Sequence, residues 1–421
     1  MRASTKVLVV GTTTDYIDWI RRNNPGRALF ITDPAVRRQA QEPSPTPAEE
    51  LLCDLSDYSR ARHALRRHLI KKNLRLGGIA CYDCESMELA ALFAQELVLP
   101  YPSVQAVNNC RNKYLAKRLW ESREICCPSA RLIRSRADAI QFFRESEGPC
   151  VLKPINGSGS ELIFCCDSED DCQRAFEEIQ SGLKQRLTNR LYKSHSREES
   201  VILAEAFVDG EEFSCDFIIE KGRVEVLRFT RKILFPQGPF GTARGYLLLP
   251  AIPDEIDEDD LLRTLYKSAT ALGIHRAICM LDFIIHQGRI VLLELTPRPG
   301  GDCLPFLLRR CWNLDMLKLS LDFSEQRSLG FKKTPDSGSH LGLRLHAPRG
   351  GILKKIDASP LQQDPRVREI HLTRQPGHRI KMPPEDYDSW LLGHIIMEPD
   401  PDIELQRQCS ESLEKLIVEI E

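Results

Sequence analysis

No stretch of this sequence is apolar for the length that a membrane span needs, and almost no net charge is left over: 58 Lys and Arg stand against 60 Asp and Glu. The first absence excludes a bundle of membrane helices. The second removes the basic field that nucleic acid or an anionic membrane surface would require, so a polyanion bound here must be small and met by local cations. Nucleotide fingerprints are missing as well. A single glycine, Gly11, stands at the first strand-to-helix turn, without the Gly-x-Gly-x-x-Gly of dinucleotide sites. The later Gly-Ser-Gly-Ser stretch at 157–160 is not followed by the Gly-Lys-Ser/Thr of a P-loop. Cys81-Tyr-Asp-Cys84 has a metal-like spacing but no second Cys or His pair nearby. The 15 cysteines are odd in number and scattered through apolar runs, which reads as small buried hydrophobes in a reducing compartment. The residues after Met1 run straight into a strand instead of a signal peptide, and a cytoplasmic location is expected.

What is present is an ordinary globular composition, 42% hydrophobic and 28% charged, over 421 residues. That length calls for two or three domains. Strands are expected at 6–11, 28–32 and 78–81, with helices at 16–23, 59–72 and 85–97, Thr14 or Asp15 capping the first. This alternation predicts a parallel α/β domain of about 100 residues. A linker at 99–103 precedes a helix at 112–122 that carries Lys113 and Lys117. Further strands are expected at 149–154, 162–166, 201–208, 211–219 and 223–230, with a polar connector at 194–199 and a helix at 256–272.

The stretch 280–302 is where the chemistry converges. Two apolar runs, 281–285 and 290–295, flank the polar turn His286-Gln287-Gly288-Arg289, which predicts a β-hairpin. Asp282 and Glu294 interrupt those runs and would face each other across it. A buried carboxylate needs a positive partner; either a Mg²⁺ ion supplies it, or Asp282 pairs with Arg298 or a backbone donor and no metal is involved. Lys153 ends an apolar strand, where a desolvated ammonium needs an anion. Ser158, Gly159 and Ser160 follow in a loop without bulky side chains, suited either to phosphate oxygens or to a plain hairpin turn. Glu205 and Glu212 lie on strands as acceptors for a base and a ribose, or as solvent-facing carboxylates. The segment 235–250 reads as a glycine-rich loop bearing Arg244, either a substrate contact or a surface arginine.

Taken together, Lys113, Lys153 with its Gly-Ser-Gly-Ser loop, Glu205-Ala-Phe-Val, Gly210-Glu-Glu212-Phe-Ser, Asp282 and Glu294-Leu-Thr-Pro-Arg298 resemble the ATP-grasp superfamily, nearest its amino-acid ligase branch and more distantly biotin carboxylase and D-alanine–D-alanine ligase. The resemblance implies a pre-ATP-grasp α/β domain at 1–104, a two-lobed ATP-grasp domain at 105–330 (lobes 105–205 and 206–330) and a small β-rich C-terminal domain at 331–421, a mixture of α/β and α+β architecture. It implies that Lys113 and Lys153 hold the α- and β-phosphates and that Ser158, Gly159 and Ser160 cover the β- and γ-phosphates. Glu205 would accept from the adenine amino group, Ala206 and Val208 read the base edge, Glu212 hold the ribose, and Leu293 contact the nucleotide. Asp282 and Glu294 would ligate Mg²⁺, with Mn²⁺ as an alternative. Thr296 stands where many relatives carry Asn, which weakens a second metal position. Arg298 would stabilise the transferring phosphoryl group, with Gly300, Gly301 and Arg244 on the substrate. The implied partners are a small carboxylate and an amine, with no nucleic acid or membrane, and relatives suggest a homodimer. The implied activity is an ATP-dependent carboxylate–amine ligase working through an acyl phosphate; a carboxylase working through carboxyphosphate and a non-catalytic nucleotide-binding protein are the alternatives. Two lids are expected, 156–160 and 238–245, because an acyl phosphate must be kept from water.

Overall fold

A computed structural model of the chain describes residues 4–192, 201–236, 238–330 and 338–421. The connector expected at 194–199 lies outside the described residues. Among the described residues no helix is long and apolar enough to cross a membrane.

The N-terminal unit is a four-stranded parallel sheet in the order Glu50–Leu52, Ala28–Thr32, Ser4–Val10, Leu74–Ala80. Its first strand is apolar without a break because both faces are covered. Val7 and Val9 join a core with Ile17 and Trp19, while Leu8 and Val10 join another with Phe93 and Ala90. The short helix Pro34–Arg38 and the strand Glu50–Leu52 were not anticipated, and the first helix starts at Thr14 with Thr13 at its cap.

A second, antiparallel sheet takes the order Ala130–Ile133, Ile202–Ala206, Cys150–Pro154, Phe164–Cys166. Helices Arg136–Glu145 and Glu169–Gln185 cover one of its faces, closing a small core around Phe142, Phe176 and Ile179. The third sheet has eight strands, in the order Arg289–Thr296, Ala277–His286, Glu211–Glu220, Arg223–Leu234, Ala243–Leu248, His340–His346, Leu391–Met397, Val367–Leu372. One expectation is corrected here. Half of the supposed loop at 235–250 is the strand Ala243–Leu248, which pairs on both sides. Within the described residues 338–421, three strands extend the large sheet, and Gly351–Asp357, Arg379–Ile380 and Ile417–Ile420 form a small sheet of their own. Gly245 sits at that junction. A Cβ there would come within 2.7 Å of the Gly342 carbonyl oxygen, so the glycine serves strand contact, not loop freedom.

Of the two helices that follow the hairpin 277–296, Leu304–Trp312 packs on the large-sheet strands His340–His346 and Leu391–Met397, and Met316–Ser324 packs on Leu74–Ala80 of the N-terminal sheet. The large sheet, with the hairpin at its edge, is thereby joined to the N-terminal unit.

His346 ends the strand His340–His346 between the rings of Phe235 and Trp390, at centroid distances of 5.5 and 4.3 Å. Burial, with Arg344 and Arg244 adding to it, pulls its imidazole down to about 2. The unfolded chain protonates this residue below about 6.5 while the folded chain does not, so stability present above that pH is lost as the pH falls. Between pH 7 and pH 5 this group should cost the wild type about 2 kcal/mol. Urea unfolding of His346→Phe should show a smaller loss over that interval than the wild type; equal losses would contradict the assignment.

Candidate active site

Alternation along the hairpin positions its polar groups. Met280, Asp282 and Ile284 face a cleft of about 850 Å³, while Leu281 and Phe283 face the core on the other side. Asp282 pairs with Glu294 in register, as the sequence suggested, and the turn closes tightly through Gln287 and Gly288, both in the left-handed region. Between Asp282 and Phe283 the register slips by one residue, making a bulge at Leu293. The bulge leaves Leu293 and Glu294 both on the cleft wall. The carbonyls of Leu292 and Leu293 accept from Lys117 Nζ at 3.0 and 2.8 Å.

Lysines and acids interlock across this cleft. Lys153 Nζ donates to Glu205 Oε2 at 2.7 Å, with Lys117 at 3.6 Å from the other oxygen of that carboxylate. Burial pulls the Lys117 ammonium down to about 8, with Lys153 adding to the shift and Glu205 opposing it. Burial pushes Glu205 up, but Lys117 and Lys153 more than offset it and hold the carboxyl below its usual range. Lys113, at the start of the helix Lys113–Glu121 capped by Asn112, donates to the Gly157 carbonyl at 2.9 Å and to Glu294 Oε1 at 3.2 Å. It therefore ties the 155–163 loop to the hairpin. Lys232 donates to Glu212 Oε1 at 2.5 Å and to Asp282 Oδ2 at 2.8 Å. Burial pulls Lys232 down, yet these two carboxylates raise it above its usual value.

The carboxylate oxygens left over point to a cation. Asp282 Oδ1 and Thr296 Oγ1 are buried without a hydrogen-bond partner, and both residues line the cleft beside Glu294. Three hard oxygen donors converging at one wall fit Mg²⁺ or Mn²⁺ and give nothing for a soft metal.

The cleft also gathers Ser158, Gly159, Ser160, Ala206, Val208, Arg298 and Gly301. Ser160 donates to the Gly241 carbonyl at 2.7 Å, so the two expected lid loops are joined at the cleft wall. Two expected substrate residues are elsewhere. Arg244 is the extra residue of a bulge opposite Ile233 and Leu234 and is turned out of the cleft, bonding Gln406 and Ser410 and lying over Phe235. Gly300 gives its N–H to buried Asp216 at 3.0 Å and does not line the cleft. In place of Arg244 the cleft offers Arg344, held by Asp302 at 2.7 Å. Cys84 is a further arrival: its sulfur accepts from Arg298 Nε and Nη2 at 3.1 and 3.0 Å. Lys232 was legible in principle, because the period of two that places Arg228 and Thr230 on one face places it there too. Arg344 and Cys84 carry no local signal.

The ATP-grasp domain family matches residues 146–305. The chain carries an ATP-grasp domain. The matched span of the ATP-grasp domain contains Lys153, Glu205, Asp282, Glu294 and Arg298, while Lys113 and Arg344 lie outside it. Among curated relatives, the D-alanine–D-alanine ligase of Acidovorax ebreus (strain TPSY) is 26% identical over 214 residues, which are 48% of this chain and 59% of that protein's length. Among solved structures, the L-amino acid ligase from Bacillus licheniformis superposes with a TM-score of 0.77 at 19% identity, covering all of both chains. The biotin carboxylase domain of the Hydrogenobacter thermophilus 2-oxoglutarate carboxylase, solved with MgADP and bicarbonate, superposes with a TM-score of 0.67 at 14% identity over 99% of this chain and 91% of that one. At such identities these two are likenesses of fold.

Replacing Lys232 by Met should leave Glu212 and Asp282 facing each other without a counter-charge, destabilising the ATP-grasp domain by about 3 kcal/mol. Added Mg²⁺ should then raise the thermal midpoint of Lys232→Met by more than it raises that of the wild type. Equal shifts would mean that Asp282 does not face the cation.

Proposed function

We propose that this chain is an ATP-dependent carboxylate–amine ligase, acting on an amino acid or a small peptide-like acid and releasing ADP. The observation that carries this reading is the meeting of Lys113, Lys153, Asp282, Glu294 and Arg298 in one cleft bordered by two joined loops. A carboxylate resists attack because its charge is delocalised and its leaving group would be oxide. Transfer of the γ-phosphoryl group replaces that leaving group with phosphate, and the amine nitrogen then attacks the acyl carbon while the C–O bond to phosphate breaks. The difficulty is electrostatic, since an anionic acid must approach a polyanionic nucleotide.

In this reading Lys113 and Lys153 turn from Glu294 and Glu205 to the α- and β-phosphates, and the backbone of 158–160 covers the transferring group. Glu205 Oε1, which has no hydrogen-bond donor, accepts from the adenine amino group. Ala206 and Val208 read the base edge from the same strand, Glu212 holds the ribose, and Leu293 packs on the nucleotide. Asp282, Glu294 and Thr296 would hold Mg²⁺, which when bound supplies charge screening between the phosphates and the incoming carboxylate. Arg298, oriented by Cys84, stabilises the developing acyl phosphate, and Gly301 allows the acid to approach closely. Arg344 takes the substrate-carboxylate role first expected of Arg244. The far end of the cleft is aromatic, with Phe306 lying 4.2 Å from the His371 ring and 4.8 Å from that of His394, and it suits the side chain of one substrate. The L-amino acid ligase and D-alanine–D-alanine ligase likenesses support this reading.

The test is ADP and phosphate release across a panel of amino acids. Turnover that needs an acid and an amine together supports ligation; turnover that needs bicarbonate instead favours a carboxylase; tight ATP binding with no turnover favours a non-catalytic role. Lys153→Ala should lower turnover by more than about 100-fold, the scale of losing one transition-state charge contact, with an unchanged fold by circular dichroism. Glu294→Gln should raise the Mg²⁺ concentration needed for half-maximal turnover or abolish activity, and a magnesium titration matching the wild type would make the hairpin purely structural.

A further inference from the structure

Away from the cleft, three cysteines converge inside the smaller sheet's core. Cys150 begins the strand Cys150–Pro154, Cys166 lies directly across from it on Phe164–Cys166, and Cys172 sits in the first turn of the helix Glu169–Gln185. All three are fully buried, and their sulfurs lie within 4.8 Å of one another, Cys150 and Cys172 at 3.8 Å. Three sulfurs each about 2.3 Å from a shared cation in a trigonal plane would be separated by about 4 Å, so the cluster is close to that spacing already. Among the described residues no fourth His, Cys, Asp or Glu donor joins it.

We propose that Cys150, Cys166 and Cys172 form a three-thiolate site for a thiophilic divalent cation of the zinc and cadmium class. Thiolate sulfur selects soft cations, in contrast to the oxygen donors of the cleft. On binding, three metal–sulfur bonds form, and each thiol that becomes a ligand loses its S–H proton to solvent. A divalent cation offsets two of the three thiolate charges, so the buried site carries a net −1 and not −3. The bound cation would staple together the two strands that flank the 155–163 loop and the helix Glu169–Gln185 behind them. Lys153 lies three residues beyond Cys150 on the first of those strands, so the site would stiffen the wall that carries it.

The experiment is a Cd²⁺ titration of the reduced, metal-free full chain in excess Mg²⁺, read by the ultraviolet sulfur-to-cadmium charge-transfer band and by proton release with a pH indicator. We expect saturation at one cation per chain, a band of three-thiolate intensity, proton release that saturates with the band and a rise in the wild type's thermal midpoint. Cys172→Ser should weaken binding by more than about 100-fold, since losses outside the first shell alone can reach that size, while Cys165→Ser should bind as the wild type does. A folded wild type that gives no charge-transfer band, or a midpoint that does not move with one equivalent, overturns the proposal. So does a Cys172→Ser variant that keeps the wild-type band; if that variant does not fold, the wild-type band, proton release and midpoint decide.

Discussion

Every ammonium group taken out of water along the cleft has to meet a negative group, and this one requirement organises the site. Lys153 and Lys117 share Glu205, Lys113 reaches Glu294 from another element, and Lys232 joins Glu212 to Asp282. Such pairs add little net stability, because desolvation offsets most of the attraction. Their value is positional: each cation is held in place by an acid on another element. Under the proposed function, Lys113 and Lys153 would exchange those acids for phosphate, and the acids released would include an oxygen suited to a hard cation.

A second, fully buried ion pair supports the wall behind. Arg228 meets Asp216 through Nε and Nη2 at 2.8 and 3.0 Å and also bonds the Ser214 carbonyl and hydroxyl. The same Asp216 oxygen accepts the Gly300 N–H. The segment from Pro297 to Gly301 is thus anchored at Gly300, which leaves Arg298 and Gly301 on either side facing the cleft. A glycine read as a substrate contact turns out to be the attachment point of that segment. A Cβ at Gly300 would come within 3.0 Å of the Arg228 guanidinium, which is why the position is small.

Much of the site was legible because local rules are strong where polar residues break apolar periodicity. Asp282 and Glu294 stood out for that reason, and Lys153 stood out at the end of an apolar strand. The hairpin pairing then put Asp282 across from Glu294, as the structure has them. The reading failed where periodicity was not applied or was broken. Taking 235–250 as a loop hid the strand Ala243–Leu248, and the bulge at Arg244 then turned its side chain away from the face a loop residue was assumed to share. Ending the preceding strand at Thr230 likewise concealed Lys232, which the structure carries on to Leu234.

The chain alone determined the kinds of element, the acidic hairpin, the lysine that ends an apolar strand and the small-residue loop, because each depends on neighbours a few residues away. Tertiary structure decided which of these face one another. Lys113 meets Glu294 across 181 residues, and Arg298 reaches Cys84 across 214. It also decided that strands near the C-terminus extend the large sheet, that Arg344 and not Arg244 faces the cleft, and that three cysteines scattered over two strands and a helix share one point. Sequence periodicity fixes the face on which a side chain lies, but only the pairing of distant strands fixes what that face meets.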